Sequence, residues 1–172
     1  NPNGHTERLK AFVSQQRMAE MARKMIDKAA ITTYPGATCD QLRVALAEEY
    51  GVRPENIFVG NGSDEVLADL LHLLRKNYHR LGLLDVCFKI YLLLAERFEY
   101  RVETIPGETF HTGTIDRNWR GLALIDSPNA ITSSTFAPEL FADLAQNDDS
   151  FVIWDNAYGE YAGDALPDNL PQ

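Results

Sequence analysis

The feature that most constrains this chain is the alternation of short apolar runs with helical stretches through its second half. Residues 81–85, 122–125 and 151–154 are brief and almost wholly apolar, as strands buried on both faces must be. Residues 100–105 form a further strand pattern, with Tyr100, Val102 and Thr104 alternating. Helical patterns over 89–98 and 138–146 separate these runs. Strands that alternate with helices predict an α/β protein whose sheet is largely parallel, because each return crossover needs a helix.

The first half is mainly helical. Leu9, Phe12, Val13, Met18, Met21, Met25 and Ile26 recur at helical spacing, predicting a helix over 7–30 that ends at the turn Tyr34-Pro35-Gly36. A second helix is expected over Asp40–Tyr50, closed by Gly51. Arg53-Pro54-Glu55 reads as a turn, and Ile57-Phe58-Val59 as a short buried strand. Gly60-Asn61-Gly62-Ser63-Asp64-Glu65 then opens a third helix reaching to about residue 77. A length of 172 residues, 45% of them hydrophobic, is enough for one sizeable core.

Charge narrows the function classes. The net charge is −9, and Arg17, Arg23, Lys24, Lys28, Arg75, Lys76 and Arg80 are dispersed among acids. A phosphate-backbone binder clusters its cations, so no nucleic-acid partner is expected. Asp85 and Lys89 interrupt the apolar stretch 81–95, so no membrane span is expected. The first residues show no basic, then apolar, leader pattern. The two cysteines form no metal or redox motif, and a cytoplasmic location is expected.

Three strand-to-helix junctions carry chemistry. At the first, Gly60 and Gly62 allow a tight turn, and Ser63 and Asp64 stand where free N–H groups and the helix dipole favour an anion. The same residues also suit an ordinary helix start with Ser63 as its N-cap. At the second, Phe88 offers a ring that either lies against a planar ligand or joins the core. At the third, Asp155 follows the run 151–153, where open α/β sheets bind ligands. That carboxylate serves either as the partner of a cationic group or as the cap of the next turn. An anion cradle, an aromatic platform and a strand-end carboxylate on one sheet describe a site for a flat, phosphorylated, nitrogen-bearing ring. Pyridoxal phosphate fits that description.

The segments run in an order that resembles the N-terminal half of the pyridoxal-phosphate-dependent aminotransferases of fold type I, class I/II, and most nearly the histidinol-phosphate aminotransferases. Asn1-Pro2-Asn3-Gly4, Tyr34-Pro35-Gly36, the segment 55–65 and Asp155-Asn156-Ala157-Tyr158 with Glu160-Tyr161 carry the resemblance. It implies a three-layer α/β/α large domain over 34–172 preceded by an arm and helix over 1–33. It also implies a homodimer, and amino transfer between an amino acid, histidinol phosphate being one candidate, and a 2-oxo acid. By the same resemblance, Gly62, Ser63 and Asp64 hold the cofactor phosphate and Phe88 stacks on the pyridine ring. Asp155 pairs with the ring nitrogen, Tyr158 bonds the 3-oxygen, and Tyr34 reaches the phosphate of the neighbouring subunit.

Three departures are visible. Where the family carries Asn-Pro-Thr-Gly this chain has Ala130-Ile131-Thr132-Ser133, leaving Asn129 as the nearest amide to the 3-oxygen. The family's Pro-Thr-Tyr is Val86-Cys87-Phe88. Lys10, Lys24, Lys28, Lys76 and Lys89 match no motif of the lysine that attaches the cofactor, so that lysine is expected in a further part of the protein. A catalytically inactive fragment or relic of the fold, and a related enzyme such as a threonine-phosphate decarboxylase, are the alternative readings. A nucleotide-binding α/β domain would need a phosphate loop that the spacing at 60–65 does not supply.

Overall fold

The computed structural model describes residues 15–26, 36 and 38–163. Residues up to Leu42 and those from Arg43 onward form two compact units. The first contains helix α1 (Gln15–Ile26), which lies within the helix expected over 7–30. Its residues Met18, Met21 and Met25 are exposed. The rest of that expected helix, the opening Asn-Pro-Asn-Gly and Tyr34 lie outside the described residues.

Helix α2 (Asp40–Tyr50) has the predicted bounds. Gly51 follows it with φ +64°, and the Val52 N–H donates to the Ala47 carbonyl at 3.0 Å. This is the left-handed closure that a glycine after a helix permits. A 3-10 turn spans Pro54–Asn56, where the turn was expected.

The second unit then alternates α3 (Ser63–Leu74), β1 (Arg80–Leu84), α4 (Lys89–Arg97), β2 (Arg101–Ile105), α5 (Glu108–Thr112), β3 (Gly121–Asp126), α6 (Pro138–Leu144), β4 (Ser150–Asp155) and α7 (Gly159–Ala162). All strand pairings are parallel, in the order β2-β1-β3-β4. The α/β prediction holds, and the sheet is wholly parallel among the described strands.

Burial explains the near-continuous apolar strands. On one face Leu81, Leu83, Leu122, Leu124 and Ile153 pack with Leu67 and Leu71 of α3 and with Tyr91, Leu94 and Ala95 of α4. On the other, Leu84, Ala123 and Ile125 pack with Phe110 of α5 and with Phe141 and Leu144 of α6. Successive strand residues point to opposite faces, and both faces are covered, so neither can be polar. Three layers result. Gly82 is required here, since a Cβ on it would stand 2.6 Å from Ile105 Cδ1 and 2.8 Å from the Trp119 ring.

Three expectations need correction. Residues 57–59 form no strand, and Phe58 is 65% exposed rather than buried. A strand exists only with a hydrogen-bonding neighbour, and no described strand pairs with this segment. Helix α3 stops at Leu74, where the Asn77 and Tyr78 N–H groups both turn back to the Leu74 carbonyl. In β2 the alternation runs in the other register. Tyr100 precedes the strand and is buried, its hydroxyl donating to the Leu71 carbonyl at 2.7 Å. Val102 and Thr104 face solvent, while the partly covered side carries Glu103 and Ile105. Glu103 can face inward because both its oxygens accept from Arg80, at 2.8 and 2.6 Å.

Candidate functional site

Ligands of open parallel sheets collect at the carboxyl ends of the strands, and the candidate residues lie there. Ser63, Phe88, Asp155 and Tyr158 come from three separate strand-to-helix or loop-to-helix junctions and line one cleft. Tyr91, Asp126, Pro128, Ala130 and Ala157 complete its wall.

The start of α3 forms one end. Gly62, not Ser63, is the N-cap, with φ +90° and no side chain capping the helix. The glycine conformation is one that a Cβ would strain. Glu65 reaches back to accept the Asn61 N–H, which orders the loop without occupying the first helical donors. The exposed N–H groups of Ser63 and Asp64 therefore lie at the positive end of α3 without a side-chain acceptor. This end suits an anion.

Phe88 is the N-cap residue of α4 and remains 43% exposed. Its ring meets the Tyr91 ring edge-on, with centroids 6.0 Å apart and planes at 84°. The contact fixes the ring's orientation and leaves part of it free.

Asp155 closes β4. Its Oδ2 accepts the Tyr91 hydroxyl at 2.8 Å and its Oδ1 accepts the Ala157 N–H at 3.1 Å. The turn-capping and ligand-facing readings of this residue are thus compatible, because the capped carboxylate still lines the cleft. Burial, followed by the Asp155 charge and hydrogen bond, pushes the Tyr91 phenol far above its usual range. Tyr91 therefore stays a proton donor to Asp155 at any ordinary pH. Tyr158 lies three residues on, exposed, at the N-cap of α7.

Asn129 is placed differently. It is buried, and its Nδ2 donates to the Val86 carbonyl at 2.8 Å and to Asp126 Oδ1 at 3.1 Å. Its Oδ1 accepts from Ile131 N–H at 3.0 Å, and from the N–H and hydroxyl of Thr132 at 2.8 and 3.0 Å. The amide is spent inside its own loop. It lines a neighbouring hollow with Ser133, Thr135 and Tyr161, not the cleft of Ser63 and Asp155.

Two residues of the cleft escaped the sequence reading. Tyr91 had a readable signal, since it stands one helical turn after Phe88 and so shares its face. Asp126 had the same signal as Asp155, an acid directly after a buried apolar run. It is 2% exposed. Burial pushes its carboxyl up, the neighbouring Asp155 charge adds to this, and the Ala130 N–H and Asn129 amide oppose it.

The donor set suits a pyridoxal phosphate. Uncapped N–H groups begin α3, a partly exposed ring begins α4, and a carboxylate held by two donors ends β4, with Ser63, Phe88 and Asp155 lining one cleft. No cluster of His, Cys, Asp or Glu suited to a metal ion occurs among the described residues.

Known proteins bear on this geometry. No protein-family profile matches the sequence. The histidinol-phosphate aminotransferase of Pseudomonas entomophila is 36% identical over 135 residues, which cover 76% of this chain and 39% of the relative. Histidinol-phosphate aminotransferase 2 of Thiobacillus denitrificans is 33% identical over 135 residues, covering 77% of this chain and 38% of the relative. The chain thus spans about two fifths of the length of these relatives. The solved histidinol-phosphate aminotransferase of Sinorhizobium meliloti, in complex with pyridoxal 5'-phosphate, superposes with a TM-score of 0.65 at 25% identity. That match covers 83% of this chain and 42% of the other. The L-threonine-O-3-phosphate decarboxylase of Porphyromonas gingivalis shares the fold, with a TM-score of 0.72 at 18% identity over 84% of this chain and 43% of the other.

Proposed function

We propose a function from one premise: the chain belongs to the pyridoxal-phosphate-dependent aminotransferases of fold type I, as the counterpart of their N-terminal portion. The complete protein moves an amino group between an amino acid and a 2-oxo acid. Histidinol phosphate is the preferred amino compound, a reading supported by the names of the relatives matched at 33% and 36% identity. The protein works as a cytoplasmic homodimer with small-molecule substrates and no nucleic-acid partner. Tyr34, beyond the described residues, reaches the cofactor phosphate of the neighbouring subunit. Among the described residues no helix is long and apolar enough to cross a membrane.

One observation carries the reading: Ser63, Phe88, Asp155 and Tyr158 meet in a single cleft. The N–H groups of Ser63 and Asp64, presented by the Gly62 turn, bind the phosphate. Phe88 covers one face of the ring. Asp155, aligned by Tyr91 and Ala157, holds the proton on the ring nitrogen. Tyr158 donates to the 3-oxygen. Asn129 acts one layer back, by ordering the 126–133 loop. When bound, the cofactor supplies the electron sink that stabilises a carbanion at the substrate's α-carbon.

Pyridoxamine 5'-phosphate needs no covalent attachment, so the present chain is a fair test. Saturable binding is expected by calorimetry. Asp155→Asn should weaken it about 10- to 100-fold, the worth of a charge-assisted hydrogen bond, with an unchanged circular dichroism spectrum. Absent binding, or equal affinity in the two proteins, would reject the cofactor site. For substrate, the complete protein with histidinol phosphate and a 2-oxo acid should form the amino acid. No turnover there, with turnover on another amine, would reassign the substrate alone.

A further inference from the structure

The carboxyl edge of the sheet carries two acids side by side. Register pairs Asp126 at the end of β3 with Asp155 at the end of β4. Neighbours in register on parallel strands about 4.8 Å apart share a face. That face is the one on which Leu124 and Ile153 meet α3 and α4. Both acids line the cleft.

Among the described residues neither is matched by a cation. No described Lys, Arg or His lines the cleft, and no described ion pair includes either acid. Asp126 Oδ1 accepts the Asn129 amide at 3.1 Å, and its Oδ2 accepts the Ala130 N–H at 2.9 Å. Asp155 accepts from Tyr91 and Ala157. These donors are neutral. The titratable groups facing the pair are Tyr91 on α4, Cys87 just before it, and Tyr158, which lines the same cleft, while Asp85 acts on Cys87. Burial drives the Tyr91 phenol and the Cys87 thiol up, so both remain uncharged.

Two adjacent carboxylates in a partly dry cleft resist double ionisation, and a cation placed between or against them removes that resistance. Linkage makes the effect reciprocal: whatever the cation does for the acids, the acids do for the cation. Asp126 is too enclosed by its own loop to take the ring nitrogen directly, which leaves that role to Asp155.

We infer that Asp126 is a positioning residue coupled to Asp155, and that the pair makes the cleft select a ring nitrogen carrying its proton over a neutral one. The inference rests on the cofactor reading for the identity of the ring. Its electrostatic half stands on the two acids alone.

The coupling is tested first without ligand. Carboxyl carbon shifts of Asp126 and Asp155 are followed through pH titration by NMR in the chain, in Asp126→Asn and in Asp155→Asn. Loss of Asp155 should lower the midpoint of Asp126 by about one pH unit, the usual effect of a close charge. Midpoints that ignore each other overturn the inference. Because the effect is mutual, Asp155→Asn decides the matter if the buried Asp126→Asn does not fold. The second measurement uses pyridoxamine 5'-phosphate labelled with 15N in the ring. The pH at which the bound nitrogen loses its proton should fall by about one unit in Asp126→Asn, with the phosphate resonance still that of the bound ligand. An unmoved nitrogen midpoint overturns the selection of a protonated ring. Failure of the unaltered chain to bind the compound overturns the cofactor reading instead, and the ligand-free titrations then decide the coupling.

Discussion

Asp126 carries a consequence for stability. An unfolded aspartate has an ordinary value near 3.8, and the folded one lies above it. Between the two, the folded chain keeps a proton that the unfolded chain has lost. Stability therefore falls as pH rises through that interval, and stays lower above it. Glu103 has the opposite sign, because the Arg80 hydrogen bond holds its carboxyl below the usual range. Its contribution is present above the unfolded value and is lost as pH falls. Urea midpoints measured between about pH 4 and pH 7 should decline less in Asp126→Asn than in the unaltered chain. Glu103→Gln should remove stability at the upper end only. Tyr91→Phe isolates the hydroxyl that aligns Asp155. It should cost about 1–2 kcal/mol in urea unfolding, since a partly buried carboxylate oxygen loses its donor. An unchanged urea midpoint would show that water replaces the phenol.

At the scale of elements, the helix starts and strand ends do most of the site's assembly. Helix α3 begins on a glycine with φ +90°, so its first donors point outward without a side-chain cap. Helix α4 begins on Phe88 and places Tyr91 one turn later, which turns one helix end into both platform and clamp. The strand β1 needs Gly82 to admit Trp119 from the other layer. Gly82→Ala should destabilise by about 1–3 kcal/mol, the usual range for overpacking against a rigid ring. Chemical denaturation measures this, and a loss under 0.5 kcal/mol, roughly the scatter expected of a surface change, would mean that Trp119 moves aside freely.

For the whole molecule, the sheet order β2-β1-β3-β4 leaves the outer side of β4 without a paired strand among those described. Phe151 lies exposed on that strand. A strand edge that carries an exposed apolar side chain is a template for further pairing. The chain is therefore expected to associate as its concentration rises, by light scattering. Phe151→Lys should reduce that association, because a charge on an edge strand opposes edge-to-edge contact. Association unaffected by the lysine would place the contact elsewhere.

Local pattern alone determined a good deal of this protein. The alternation of apolar runs and helical stretches carries the order of α3 to β4, because burial on both faces demands continuous apolar strands. The short helices α5 and α7 had too few residues to register a period. Glycine and junction position were likewise enough to single out Gly62, Ser63, Phe88 and Asp155, since each is a property of one junction, whereas Tyr158 came from the family resemblance. Only tertiary structure decided what those junctions do to one another. That 57–59 is unpaired follows from which strands are neighbours, a relation between distant segments. That Asn129 turns inward follows from the carbonyl of Val86, 43 residues away. That Asp126 stands beside Asp155 follows from the register of β3 on β4. Hydrogen bonds and charges act over a few ångströms of space, whatever the separation along the chain, and a sequence records only the latter.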